Sequence, residues 1–323
     1  MFKPYGIANL AEGTSNYTLK VRSYEDAVFM PMPARRLLRG TKAGAFDADG
    51  NFIRESGLER SYARIIAPAK LDPQAELATM DETAILGGYI PPHFGHFILE
   101  SLARLWAIRR FDCPIIWGGG VNAQGFVREI FDLIGLPPER MVFVDTPLHL
   151  RRLWVATPGY IIRDWCDTEQ MAALAVRDCQ PDGTRLYLSR SRFKSSIANV
   201  QGEEVVETRL AALGWTILYP EEHSISDQIY ALARASVIAG LEGSALHSIV
   251  FLRNVTARII VVRRPKPNPN FNTIALAKKL DQHDISGHMV DLPPQNAGKE
   301  GIDFAIDDPE GLVHKIDALS DLA

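Results

Sequence analysis

Apolar positions follow two rhythms along this chain. Runs of strand length, rich in Ile, Val and Leu, recur at 84–90, 114–117, 141–144, 153–156, 215–219, 237–239 and 258–262. Between them lie segments with helical spacing. Over 95–110 the side chains Phe97, Ile98, Leu102, Leu105 and Trp106 share one face, and similar spacing marks 126–134, 202–213 and 271–280. The last helix, 309–322, carries Leu312, Ile316 and Leu319 on one side. Strand and helix alternate through both halves, which predicts parallel α/β sheets covered on both faces. The first 75 residues are different, with strand-like pieces at 17–21, 27–30 and 62–66 and turns at Asp49-Gly50-Asn51 and Pro31-Met32-Pro33. Residues 168–179 read as a linking helix, and Gln180-Pro181-Asp182-Gly183 is a strong turn. The expected division is therefore an N-terminal domain over 1–178, a C-terminal domain over 179–305 and a terminal helix over 306–323 packing back on the first domain. No repeat or low-complexity tract interrupts the pattern.

Residues 236–252 read S-V-I-A-G-L-E-G-S-A-L-H-S-I-V-F-L. A buried strand ends at Gly240, and Gly243-Ser244 opens a helical segment with Ala245, Leu246, Ile249 and Val250 inward. Ser244 is suited to cap that helix. Strand, glycine turn and helix N-terminus together make an anion site, because free amides and the helix dipole both favour a diphosphate. Close packing of a buried strand–helix unit accounts for the glycines equally well. Upstream, a strand over 185–189 ends in a burst of positive charge, Arg190, Arg192 and Lys194.

Composition narrows the function classes. The 323 residues carry a net charge of −4, with 46% hydrophobic and 23% charged residues, as in an ordinary globular enzyme. That balance argues against a general nucleic-acid binder, which needs a basic excess. Local pairs remain for anionic ligands: Arg35-Arg36, Arg109-Arg110, Arg151-Arg152 and Arg263-Arg264. The three cysteines, Cys113, Cys166 and Cys179, form no CxxC pair and fit a reducing compartment. The N-terminus lacks the apolar core of a signal peptide, and no run approaches the ~20 apolar residues that span a bilayer. The expectation is a cytoplasmic protein. Asp47-Ala48-Asp49-Gly50-Asn51 begins like a calcium loop but lacks the distal Glu, so a hairpin turn is expected. His93-x-x-His96 has the wrong spacing for a helical metal pair. No metal or cofactor is expected.

The order of several motifs resembles glycosyltransferase family 61, whose bacterial members are often labelled capsular polysaccharide biosynthesis proteins. The matching pieces are I-P-P-H-F-G-H-F-I-L-E-S-L-A-R-L-W (90–106), Y-L-S-R (187–190), the helix carrying Gln228, Ala233 and Ala235, and G-S-A-L-H (243–247). The resemblance spans about residues 88–262. It implies a GT-B fold, two Rossmann-like domains facing each other across a cleft, with the nucleotide sugar held by the C-terminal one. The reaction implied is inverting transfer of a sugar to a hydroxyl of a surface polysaccharide or related glycan, free or lipid-linked. Such an acceptor is compatible with peripheral attachment at the inner face of the membrane.

Three tasks define that chemistry: stabilising the leaving diphosphate, excluding water, and deprotonating the acceptor hydroxyl. Arg190, with Arg192 or Lys194 as second cation, and the amides of Gly243 and Ser244 suit the first, with His93 and His247 as further substrate contacts. His96 and Glu100, four apart on one helical face, are candidates for the base, and the residues leave open which of them acts. The plain alternative is that His96 caps its helix while Glu100 pairs with Arg104. The family commonly has Asn at position 93, His at 242 and Asn at 247, and its Asn-Glu pair is interrupted here between Asn199 and Glu203-Glu204. Glu242 would repel a diphosphate unless it binds sugar hydroxyls or acts as the base. Two other readings stand beside this one: another transferase on the same scaffold, such as a pyruvyl transferase, and an inert binding subunit. The sequence carries no sign of donor sugar, linkage or oligomeric state.

Overall fold

The apolar runs become the strands of two main sheets in the computed structural model, which describes residues 17–32, 40–61, 63–70, 77–119, 125–193, 199–292 and 303–321. Arg35-Arg36, Lys194, Pro33, Tyr62 and Gly120 lie outside the described residues. Two compact units divide the chain: Met1–Asn122 with Pro138–Gln170, and Ala123–Pro137 with Met171–Ala323. The later boundary thus falls inside a helix at 170/171 rather than at 178/179, and 123–137 belongs with the second unit.

The first unit is built on a seven-stranded sheet. Its strands are β1 (Val21–Met30), β2 (Thr41–Phe46), β3 (Ile66–Pro68), β4 (Ala78–Tyr89), β5 (Ile115–Gly118), β6 (Met141–Val144) and β7 (Leu148–Ala156), in the order β3-β2-β1-β7-β4-β5-β6. Pairs β7–β4, β4–β5, β5–β6 and β2–β3 are parallel, while β1 runs antiparallel to both neighbours. The expectation of a Rossmann-like first domain is corrected to a mixed sheet. The cause lies in the first 75 residues, which hold no helical-period segment to serve as a parallel crossover. Residues 17–20 precede β1 instead of forming a strand, and β7 starts five residues before the predicted 153 because exposed Arg151 and Arg152 break its apolar run. At the end of β2, the Asp47 carboxylate accepts the Asp49 and Asn51 amides, making the expected turn. Phe29, Ala45, Ile66, Leu86, Tyr89, Leu150 and Leu153 fill the core.

After β4 the predicted helix over 95–110 is broken. It becomes α1 (Phe94–Leu99), a 3-10 turn Ser101–Arg104, and α2 (Leu105–Ile108), with the interruption at Glu100. The segment is drawn tightly onto β4. A Cβ at Gly88, whose φ is +152°, would stand 2.8 Å from the Ser101 carbonyl oxygen, so only glycine permits the approach. The Ser101 hydroxyl donates to the Tyr89 carbonyl, and buried Arg104 donates to the carbonyls of Ala156, Glu55 and Gly57.

The second unit begins with α3 (Phe126–Leu133), inserted between β5 and β6 of the first. The boundary helix α4 (Thr168–Leu174) leads on to β8 (Thr184–Leu188), α5 (Glu203–Ala212), β9 (Thr216–Leu218), α6 (Ile225–Arg234) and β10 (Ala235–Leu241). A 3-10 helix Ser244–Phe251, β11 (Arg258–Val262), α7 (Asn270–Lys278) and β12 (Asp281–Ile285) complete the winding. All five strands are parallel, in the order β9-β8-β10-β11-β12. Here the doubly wound expectation is met. Alternation along β10 sends Val237, Ala239 and Leu241 to a core shared with Val206 and Leu210 of α5. The terminal helix α8 (Pro309–Ser320) packs on α5 and buries Leu312, Val313 and Ile316 in the same core. It belongs to the second unit, which corrects its expected place on the N-terminal domain.

Candidate active site

In the second unit the chain leaves β8 toward β9 on one side and returns to β10 on the other. Strand order therefore reverses between β8 and β10, and a crevice opens beyond their carboxyl ends, where open α/β sheets bind ligands. Arg190 follows β8 by two residues, and Glu242-Gly243-Ser244 follows β10 directly. The Arg190 Nη1 atom lies 3.6 Å from where a Gly243 Cβ would stand. Gly243 itself is extended, with φ −166° and ψ 171°, so its small size matters here and its backbone conformation does not.

Gly243, not Ser244, is the N-cap, no side chain caps the helix, and that helix is 3-10. Ser244 is its first residue, so the expected hydroxyl cap is corrected. The first amides of such a helix still lack intrahelical acceptors. Beyond the end of β11 stands Arg264, whose Nε donates to the Glu242 carbonyl at 3.0 Å. Burial lowers the pKa of Arg190, and it lowers that of Arg264 with a further contribution from the Arg190 charge. A half-buried guanidinium whose ionisation is disfavoured by burial and by a neighbouring guanidinium favours an anion beside it.

Glu242 does not point charge at that anion. Its Oε1 accepts the Asn268 amide at 2.7 Å, its Oε2 accepts the Arg264 amide at 3.4 Å and lies 3.6 Å from Arg263. Glu242 and Arg263 are both 3% exposed. The carboxylate anchors the two ends of the loop after β11 through Arg263, the Arg264 amide and the Asn268 amide, while Pro265, Lys266 and Pro267 between them are exposed. Burial raises its pKa, against the Asn268 amide and the two arginines. His247 is buried and stacks on Phe271 with centroids 4.9 Å apart, so it packs beneath the site. Arg192 is exposed, salt-bridged to Glu222 at 2.9 Å, and lies 3.6 Å over the Tyr219 ring. Arg192 is thus engaged with Glu222 and Tyr219, and Arg264 stands as a further cation at the crevice.

Behind Arg190 lies a buried acid network. Glu203 Oε1 accepts the Tyr187 hydroxyl at 3.2 Å and the Arg190 amide at 3.3 Å. One turn on, Glu207 accepts hydroxyls from Ser189 and Tyr219, and Ser189 Oγ accepts the Ser191 amide. The start of α5 thereby fixes the strand exit that carries Arg190. Burial pushes Glu203 up to about 8, so it is mainly protonated at neutral pH.

The first unit holds a second constellation. His96 Nδ1 is 2.7 Å from Glu100 Oε2, and Arg60 clasps the same carboxylate through Nε at 2.6 Å and Nη2 at 2.8 Å. Arg60 Nη2 also comes within 3.2 Å of His96 Nδ1. A carboxylate oxygen at 2.7 Å requires a proton on Nδ1, since two lone pairs would repel. The neutral ring therefore carries its free electron pair on Nε2. Burial alone would raise the Glu100 carboxyl, but hydrogen bonds from His96 and Arg60 outweigh it and hold the group below the ordinary glutamate range. Glu100 pairs with Arg60 and not with Arg104, which corrects the i, i+4 alternative. The cap of α1 is His93, not His96: its Nδ1 accepts the His96 amide at 3.4 Å. Burial lowers its pKa to about 4, helped by His96, so it stays neutral. The two histidine rings lie 4.7 Å apart, yet among the described residues no group of three His, Cys, Asp or Glu is placed to hold a metal.

A sheet with anion-binding groups at its switch point, and a histidine oriented by a buried carboxylate, are parts that a group-transfer enzyme needs. The family model for glycosyltransferase 61 matches residues 94–260, just over half of the chain, and the chain belongs to that family of enzymes. No curated protein matches it. The matched stretch contains His96, Glu100, Arg190, Glu203 and Glu242–Ser244. Arg60 and Arg264 lie outside it; the sequence offered Arg264 only as half of a basic pair open to anionic ligands and gave Arg60 no role. Arg264 had a signal, a basic pair directly after a buried strand. Arg60 had none, because its partner is 40 residues away.

Proposed function

We infer that the protein is an inverting glycosyltransferase that moves a sugar from a nucleotide-sugar donor to a glycan hydroxyl. The observation that carries this reading is the pair Arg190 and Arg264 beside Gly243 at the switch point of the second unit's parallel sheet. There they suit the donor diphosphate as it gains charge on leaving, an interaction that strengthens toward the transition state. His96 Nε2 accepts the proton of the acceptor hydroxyl while its oxygen attacks the anomeric carbon. The bond from that carbon to the diphosphate breaks in the same step and inverts the centre. Glu100 holds the ring in the required tautomer and stabilises its charge once protonated, and Arg60 holds Glu100. With Glu242 compensated by Arg263 and Arg264, the main sequence argument for an inert scaffold loses its force.

Calorimetric titration with nucleoside diphosphates tests the reading. A diphosphate that binds the wild type should bind Arg190→Ala and Arg264→Ala more weakly by about 2–5 kcal/mol each, as for a half-buried charged partner lost. If neither substitution weakens binding, the diphosphate lies elsewhere and the reading fails.

A further inference from the structure

The first unit contains a cavity of about 480 Å³, within the range that small-molecule sites occupy. Tyr17, Tyr160, Lys20 and Arg22 line it together with Glu100 and Arg104, so it reaches the carboxylate that orients His96. Its charges do not cancel. Glu59, on its wall, is paired with Arg54 and Arg64 at 3.1 Å each. Glu100 is committed to Arg60 and His96. Arg104 is 2% exposed, and its hydrogen bonds go to backbone carbonyls with no carboxylate paired to it among the described residues. Burial lowers it to about 10, so it remains charged at neutral pH. Lys20 and Arg22, two apart at the start of β1, are exposed at the rim, and neither side chain has a hydrogen bond or ion pair among the described residues. Of the lining carboxylates only Glu55 is left to offset these three cations; Asp164, which does not line the cavity, accepts the Tyr17 hydroxyl at 2.9 Å.

A buried guanidinium with no carboxylate directly paired to it is costly, and an anionic group entering the cavity would relieve that cost. Tyrosine rings with their hydroxyls offer the mixed apolar and polar surface that a sugar ring requires. We propose that this cavity is a subsite for a sugar bearing an anionic group, a carboxylate or a phosphate, drawn in by Lys20 and Arg22 and neutralising Arg104. Resting on the transferase reading, it assigns the acceptor glycan to the acidic class.

The test is an NMR titration of the full chain with glucuronic acid, glucose 6-phosphate and glucose. At least one anionic sugar should bind 10-fold or more tightly than glucose, and which one does so separates carboxylate from phosphate. The preference should fall by about 10-fold in the Lys20→Ala/Arg22→Ala double variant, whose exposed side chains make misfolding no concern, and should weaken in 0.5 M salt. Equal binding of neutral and charged sugars, no binding of any, or a preference that the double variant retains would each overturn the proposal. Titration of the same double variant with a nucleoside diphosphate keeps the two readings apart. Intact diphosphate binding with no anionic preference removes only the subsite, whereas a wild type that binds no diphosphate removes the donor site.

Discussion

Replacing Arg60 by methionine tests the ion pair on which the first unit's constellation rests. Arg60 is 12% exposed and Glu100 3%, with two hydrogen bonds of 2.6 and 2.8 Å between them. Removing one partner of a buried pair costs about 3–5 kcal/mol, because the other charge stays desolvated. His96 still donates to Glu100, which places the expected loss near the lower end, about 3 kcal/mol. For a unit of this size that corresponds to a fall of about 6–12 °C in its melting temperature. Four of the five tryptophans, Trp106, Trp117, Trp154 and Trp165, lie in the first unit, so fluorescence in a Trp215→Phe background reports its unfolding. The sign with pH follows from Glu100. Its folded pKa is depressed, so its stabilisation is present above the unfolded value of about 4.3 and is lost as pH falls through the folded one. Without Arg60, burial carries the folded pKa upward, and the penalty shrinks as pH drops toward about 4.3. The difference between wild type and variant should be widest near neutrality and narrow in acid. A further Glu100→Gln change should restore part of the loss, since no buried charge remains. A cost below about 1 kcal/mol at pH 7, or a gap that widens in acid, would refute the reasoning.

His96→Ala should lower turnover by about 10²–10⁴-fold with nucleotide affinity unchanged, and Glu100→Gln should also lower it, by disturbing the tautomer; initial-rate kinetics beside calorimetry separate the two effects. Full rates in both variants would place the base elsewhere. Glu203→Gln should be more stable than wild type at pH 8. Its raised pKa, about 8, means that wild-type stability is lost progressively between about 4.3 and 8 as the unfolded chain ionises first, so denaturation midpoints should converge toward acid. Transfer activity should survive EDTA if, as proposed, Arg190 and Arg264 serve the diphosphate; loss restored by manganese would contradict this.

The second unit was legible because its helices and strands each bury an apolar face, and that burial is written in the spacing of Val, Ile and Leu. Arg190 and the Gly243-Ser244 turn could be read for the same reason, as they sit where two such strands end. The helix break at Glu100 was not, since it depends on the glycine at position 88 and on Arg104 reaching carbonyls about 50 residues away. Glu242 was misread as a free charge because Arg263 and the Asn268 amide meet it only through the turn after β11. Periodicity reports which face of an element is buried; it carries no record of which distant polar group waits there.

The insertion of α3 has a bearing on how the molecule is made. Val127, Ile130 and Phe131 are buried, α3 contacts α6, and Glu129 accepts the Ile225 amide at 2.8 Å. On the ribosome α3 emerges roughly a hundred residues ahead of that partner, and its apolar side must wait, uncovered, while the remainder of the first unit and the start of the second are synthesised. The polypeptide also passes from one unit to the other three times. A fragment starting at Met171 would lack a helix of its own fold, and one ending at Gln170 would carry an orphaned apolar helix that invites aggregation. A single proteolytic nick at any crossing leaves the halves tethered, so neither unit can be shed or exchanged as a cassette.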